Sequence, residues 1–198
     1  MEKVMLVTGF EPFDGAEINP SFEAVKGLRD VPELRGRVEV LELPVVFGKA
    51  GDLLAAKIRE LRPSAVICVG LAASRKWITP ELVAVNFRSA RIPDNEGNRP
   101  EWEKIDPDGP DGIFTRLPVR EMLKRLEEAE IPAQLSQSAG AYVCNEVMYR
   151  VLRDYDGPAG FIHVPASREL GGSMSVGEMT WALAVCVGTV EEFSGRRV

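Results

Sequence analysis

Along this chain, short apolar runs rich in β-branched residues alternate with longer stretches in which apolar positions recur every third or fourth residue. The runs at residues 4–8, 38–43, 65–69, 82–87, 133–136 and 160–164 have the length and composition of strands. Most are apolar at successive positions, as a strand covered on both faces is. The spacing predicts helices over residues 20–28, 47–61, 119–129, 145–155 and 176–193. The first carries its own start signal: the Asn19 side chain can accept from an N–H of the opening turn, and Pro20 has no N–H to leave unpaired. Such alternation predicts an α/β layer fold, a mostly parallel or mixed sheet with helices on both sides. At 198 residues and 45% hydrophobic, the chain suits one domain, residues 1–198, with a sizeable core.

Residues 90–118 break the alternation, being rich in Asp, Asn, Gly and Pro, as in Asp94-Asn95-Glu96-Gly97 and Asp106-Pro107-Asp108-Gly109. A connection this long is usually functional or mobile. Two expectations stand side by side: a segment that covers a site or meets a neighbouring subunit, and a solvated excursion with a small hairpin.

Charge and cysteine usage narrow the function classes. The formal net charge is −6, and Arg35-Gly36-Arg37 and Arg196-Arg197 are too short to make a basic stripe, so no nucleic-acid surface is expected. No run approaches the roughly twenty apolar residues that span a bilayer, and residues 1–9 lack a signal-peptide cleavage region. The expectation is a cytoplasmic protein without a membrane partner. Cys68, Cys144 and Cys186 are odd in number, widely spaced and accompanied by a single histidine. They predict reduced thiols, with no disulfide framework, no metal site and no cofactor. Cys68 and Cys186 lie in apolar runs and read as core packing; for Cys186 the alternative is contact with its copy in another subunit.

The chemistry gathers around Cys144. The apolar positions Val147, Met148, Val151, Leu152 and Tyr155 share one helix face, which sets Cys144 at or just before the first turn, where unpaired N–H groups favour a thiolate. The small residues Ser138, Ala139 and Gly140 before it leave room for a substrate and offer backbone donors to an oxyanion. His163, the only histidine, ends a predicted strand in Phe161-Ile162-His163-Val164-Pro165 and is the one imidazole able to serve as base, although a packed structural histidine would fit the same pattern. Glu81 opens an otherwise apolar strand and could fix the imidazole tautomer, with Asp94, Glu96 and Glu11 as competitors. Arg75 and Arg91 could pair with a carboxylate or flank the oxyanion. Because ligands in open α/β sheets bind beyond the carboxyl ends of strands, Phe10, Phe13, Arg75, Cys144 and His163 are expected on one rim.

Taken together, Gly9-Phe10-Glu11-Pro12-Phe13 with Asn19-Pro20-Ser21, Pro80-Glu81-Leu82-Val83-Ala84-Val85-Asn86, Ala90-Arg91-Ile92-Pro93-Asp94-Asn95-Glu96-Gly97, Ser136-Gln137-Ser138-Ala139-Gly140-Ala141-Tyr142-Val143-Cys144-Asn145 and Phe161-Ile162-His163-Val164-Pro165 resemble the pyroglutamyl peptidase I family. The five blocks occur in order over nearly the whole chain. The resemblance implies a three-layer α/β/α fold of phosphorylase/hydrolase type, a cytosolic thiol peptidase acting on peptides with N-terminal pyroglutamate, and commonly a homotetramer, with a dimer as the smaller assembly. It also implies Cys144 as nucleophile, His163 as base, Glu81 as the acid orienting it, Arg91 near the site, and Phe10, Phe13, Leu71 and Val143 against the substrate ring. The chain departs from the family pattern at Leu71, where many members have Gln, at Ser74 before Arg75, and at Asp14 before Gly15. Those departures bear on loop geometry and lactam contacts, and they define the rival readings: another small-amide hydrolase, or a non-catalytic homologue, on the same fold. A dinucleotide-dependent oxidoreductase is disfavoured because no G-x-G-x-x-G follows Thr8-Gly9.

Overall fold

The structure, a computed structural model, describes residues 4–194; Met1 to Lys3 and the Arg196-Arg197 pair lie outside them. The elements follow in the order β1 (Met5–Phe10), α1 (Pro20–Gly27), β2 (Val38–Leu43), α2 (Lys49–Leu61), β3 (Val66–Leu71), β4 (Thr79–Pro80), β5 (Val83–Val85), β6 (Gly112–Phe114), α3 (Val119–Glu128), α4 (Val143–Asp154), β7 (Ala159–Val164) and α5 (Val176–Ser194). The main sheet has the order β2-β1-β3-β7-β4. Its first four members run parallel, and β4 is antiparallel to β7, setting Thr79 opposite His163. The chain leaves β1 toward β2 on one side and enters β3 on the other, which sets the switch point of the sheet, where ligands of open α/β sheets bind, at the carboxyl ends of β1 and β3.

Strand alternation divides the sheet into two faces. Met5, Val7, Ile67, Val69, Ile162 and Val164 join residues of α1, α3 and α5 in one core. Leu6, Phe10, Val66, Cys68 and Phe161 join residues of α2 and α4 in the other. His163 shares the parity of Phe161 and therefore turns toward α4, while its register partner on β3 is Gly70. The α/β/α arrangement expected from the sequence is thus the one observed.

Local signals explain the helix starts. Asn19 Oδ1 accepts from Ser21 N at 3.1 Å and caps α1 ahead of Pro20. At α5, Ser175 and Glu178 form a reciprocal capping box: Glu178 Oε2 accepts from Ser175 N at 2.7 Å, and Glu178 N donates to Ser175 Oγ at 3.2 Å.

Two expected strands come out differently. Residues 133–136 are not a regular strand; they meet the sheet edge through isolated bridges at Ile78–Ala133 and Glu81–Ser136. Hydrogen bonds from Ile78 N to Pro132 O, Gln134 N to Ile78 O, Ser136 N to Pro80 O and Leu82 N to Ser136 O trace a parallel ladder. The rung between the bridges is missing because Pro80 has no N–H. The run at 82–87 likewise does not join the main sheet. Its middle, β5, pairs antiparallel with β6 in a separate two-stranded ribbon.

Residues 90–118 contain the small hairpin partner, β6, yet they are held from within. Asp94 accepts from Phe47 N, Glu96 N and Asn98 N. Asn86 donates to Asp106 O and accepts from Asp106 N, and the Tyr149 hydroxyl donates to Pro110 O. Trp102 and Phe114 remain largely exposed on this segment.

Candidate active site

Three elements deliver the polar residues. β7 carries His163 on the α4-facing side, and the ring lies 4.8 Å, centroid to centroid, from that of Phe161. Helix α4 begins at Val143, so Cys144 occupies its first turn, as expected. Tyr142 precedes it without a side-chain cap, and the next residue, Asn145, accepts from Val85 N and donates to Val85 O and Phe87 O, binding the helix start to β5. A Cβ at Gly70 would fall 2.9 Å from Cys144 Sγ and 2.8 Å from Phe161 Cζ, so only a glycine beside His163 lets the sulfur approach the sheet this closely.

Glu81 lies between β4 and β5, where the chain turns away from the main sheet after Pro80. Its N donates to Phe161 O at 2.9 Å. The fully buried carboxylate meets His163 Nδ1 at 2.7 Å through Oε1. The same oxygen accepts from Arg75 Nη1 at 2.5 Å, and Arg75 also donates to Thr79 Oγ1 and, through Nη2, to Ser138 O. Glu81 Oε2 has no hydrogen bond within the protein; the Ser136 hydroxyl nearby is donated to Ser138 O. With Glu81 ionised, Nδ1 carries the imidazole proton and Nε2 is left as the basic nitrogen.

Burial and charge set the resting protonation state. Burial alone would raise the Glu81 pKa, but the His163 bond, Ser136 and the Arg75 charge outweigh it and hold the carboxyl below its ordinary value. Burial lowers the His163 pKa below 6.5 despite the opposing pull of Glu81, and Arg75 lowers it further. Burial pushes the Cys144 thiol up to about 12, with Glu81 and Cys68 adding to the rise. Sequence position favours a thiolate at this helix start; burial and the nearby carboxylate oppose it. Both shifts favour a neutral thiol and a neutral imidazole.

The competing acids are engaged elsewhere. Glu11 Oε1 accepts from Val45 N and Asn95 Nδ2, Asp94 closes its own loop, and Glu96 pairs with Lys49 at the surface. Among the expected ring contacts, Phe10 and Val143 are closed into the core, whereas Phe13 and Leu71 keep partial exposure. Phe13 packs on Tyr142, whose ring also meets Phe47 edge-on. Arg91 is exposed on the segment that Tyr142 holds by donating to Pro93 O, and it is Arg75 that reaches the acid. The sequence reading missed Thr79, Ser136 and Tyr142. None has a short-range signal, because each acts through a contact made by folding. Cys68 and Cys186 are buried core residues, Cys186 among the α5 side chains that face the sheet. Among the described residues, no group of three or more His, Cys, Asp or Glu side chains is placed to hold a metal ion.

A family model for pyroglutamyl peptidase matches residues 3–190. The chain belongs to the pyroglutamyl peptidase family. Among members of that family it is 42% identical over 199 residues to the pyrrolidone-carboxylate peptidase of Oceanobacillus iheyensis, covering 96% of this chain and all of that protein. It is 44% identical to the corresponding Bacillus subtilis protein over 170 residues, 83% of this chain and 79% of that one. The crystal structure of pyroglutamyl peptidase I from Bacillus amyloliquefaciens superposes with a TM-score of 0.91 at 36% identity, covering 98% of both chains. A mutant pyrrolidone carboxyl peptidase from the hyperthermophile Pyrococcus furiosus gives 0.88 at 41% identity, over 96% of this chain and 98% of that one. Pyroglutamyl peptidase architecture therefore extends over nearly the whole chain.

Proposed function

We propose that this chain, acting as one peptidase domain over residues 1–198, removes an N-terminal pyroglutamyl residue from peptides, with Cys144 as nucleophile, His163 as base and Glu81 as the acid that orients it. The observation that carries this reading is the 2.7 Å Glu81–His163 bond on the strand position whose partner, Gly70, lies beneath the Cys144 sulfur. On attack, the thiol proton passes to His163 Nε2 while the sulfur–carbon bond forms. The N–H groups of Val143 and Cys144, at the very start of α4, are the donors assigned to the developing oxyanion. The imidazolium then protonates the departing amine as the C–N bond breaks, and His163 takes a proton from water to hydrolyse the thioester.

Pyroglutamate is a neutral lactam, so a wall with aromatic character suits it. Partly exposed Phe13 and Leu71, buried Phe10 and Val143 and exposed Arg91 are the residues assigned to that ring pocket, and the partial exposure of the first two supports their part in it. An ordinary charged N-terminus would lose hydration there without a partner. The three free cysteines suit a reducing compartment and support a cytoplasmic location. Exposed Trp102 and Phe114 support self-association, as a dimer or homotetramer, which light scattering after gel filtration would measure.

Replacing the nucleophile is the direct test. Cys144→Ser should abolish release from a pyroglutamyl anilide, by about 10³-fold or more, while circular dichroism and melting temperature stay close to those of the parent. Normal turnover by that variant would exclude covalent catalysis through this thiol. Hydrolysis of other blocked N-termini, with none of the pyroglutamyl substrate, would favour the small-amide hydrolase reading.

A further inference from the structure

The Arg75 guanidinium is the one described cation bonded to Glu81. It approaches from the loop after β3, and its side chain is about one quarter exposed, while the carboxylate it meets is fully buried. Its two terminal nitrogens do different things. Nη1 is shared between Glu81 Oε1 and Thr79 Oγ1, and Nη2 reaches Ser138 O at 3.0 Å. One planar group thus ties the triad acid to β4 and to the loop that leads into Cys144. A planar trans peptide aims its C=O and N–H in opposite directions, so fixing Ser138 O also fixes the Ala139 N–H on the side away from Arg75.

We propose that Arg75 is a positioning residue for this reaction, acting through Glu81 and Ser138 to keep the carboxylate turned onto His163 Nδ1 and the imidazole neutral before attack. The proposal rests on the peptidase reading of the same site. Arg75 and His163 Nδ1 meet the same carboxylate oxygen, so a proton arriving on His163 would place two cations against one anion. Arg75 therefore opposes resting protonation and makes the transient imidazolium a readier donor to the departing amine. The ionisable groups around this cluster are Glu81 and Arg75 beside His163, with Cys144 of α4 and Cys68 of β3 on the same face of the sheet. Both cysteines are neutral thiols at rest, which leaves Glu81 and Arg75 as the charges that set the imidazole's proton affinity.

A histidine count of one makes the test unusually clean, since every imidazole signal belongs to His163. Nuclear magnetic resonance titration of His163 in the full chain, in the parent, Arg75→Gln and Arg75→Lys, is the experiment. In Arg75→Gln the His163 pKa should rise by about one unit and the acid limb of kcat/KM should move with it. The fall in activity should appear in kcat with KM little changed, and Arg75→Lys should bring the titration back toward that of the parent. An unshifted titration in Arg75→Gln would overturn the proposal even if the parent cleaves pyroglutamyl substrates. A raised KM with an unshifted acid limb would make Arg75 a substrate contact instead. If the parent cleaves nothing, the peptidase reading fails, and the titration still decides whether Arg75 sets the proton affinity of His163. Should Arg75→Gln fail to fold, the same titration with Arg75→Met, which also removes the charge, decides: a His163 titration identical to that of the parent would refute the coupling.

Discussion

The two faces of the central sheet are built from the same strands yet are spent on different tasks. On β7, Ile162 and Val164 turn into the α1–α3–α5 core, among apolar side chains of those helices. Phe161 and His163, one residue out of step, turn toward α4, where the packing includes Thr8, Cys68, Gly70, Cys144 and the Glu81 carboxylate. The first face contributes stability through close packing of side chains that have no alternative partners. The second gives up part of that packing to bring a thiol, an imidazole and a carboxylate to one face, where Glu81 and His163 shift each other's proton affinity and Glu81 adds to the rise of the thiol. Strand alternation separates the tasks, so a substitution should report on one or the other according to its parity.

Four measurements would break or sharpen that division. The largest effect is expected from Glu81→Gln, which keeps the shape but leaves the imidazole free to carry its proton on the wrong nitrogen. Turnover should fall by about 10³–10⁴-fold with the melting transition retained, as judged by single-turnover kinetics alongside calorimetry. On the opposite face, Ile162→Ala should cost about 2–5 kcal/mol in urea unfolding and leave kcat per folded molecule unchanged; a large loss of kcat would show that the faces are coupled. Gly70→Ala, on the reactive face, forces Cys144 Sγ or the Phe161 ring to move from a 2.8–2.9 Å clash. About 10²-fold in kcat/KM is expected, with a smaller loss of stability than at Ile162.

The smallest effect is the dependence of stability on pH. His163 and Glu81 have folded-state pKa values below their ordinary ones, so the unfolded chain binds protons that the native state refuses, and stability falls as pH drops below about 6.5 and again through the carboxylate range. The buried thiols have the opposite sign. Raised from 9.0 to about 12, they add stability that is complete below 9 and is lost as pH climbs toward 12. Urea midpoints across pH would be expected to show both slopes, and Cys186→Ala should shallow only the alkaline one.

Much of this could be read from the chain because the deciding forces are local. Apolar runs gave the parallel strands, Asn19-Pro20 gave the start of α1, and the order of motifs singled out as candidates Cys144, which opens α4, and Glu81 and His163, which the fold brings into a hydrogen bond. What escaped depends on contacts between distant segments. Pro80 removes one ladder rung, which leaves residues 133–136 as bridges and lets the chain turn so that Glu81 enters from between two strands rather than from the head of one. The choice of Arg75 over Arg91 as the partner of that acid follows from β4 folding back along β7, a pairing of only two residues with no periodic signal. The rise in the Cys144 pKa comes from burial, with Glu81 and Cys68 adding to it, none of which the helix-end position in the sequence announces.

The hydrogen-bonded anchoring of residues 90–118 has a thermodynamic consequence for recognition. Ordering a floppy segment costs about 1–2 kcal/mol per residue, whereas even the best small ligands gain only about 1.5 kcal/mol per heavy atom. A pyroglutamyl group of about eight heavy atoms would be outmatched by a wall that had to fold around it. Asp94, Asn86 and Tyr149 already fasten this segment without a ligand, so its ordering draws nothing from the binding free energy of so small a guest.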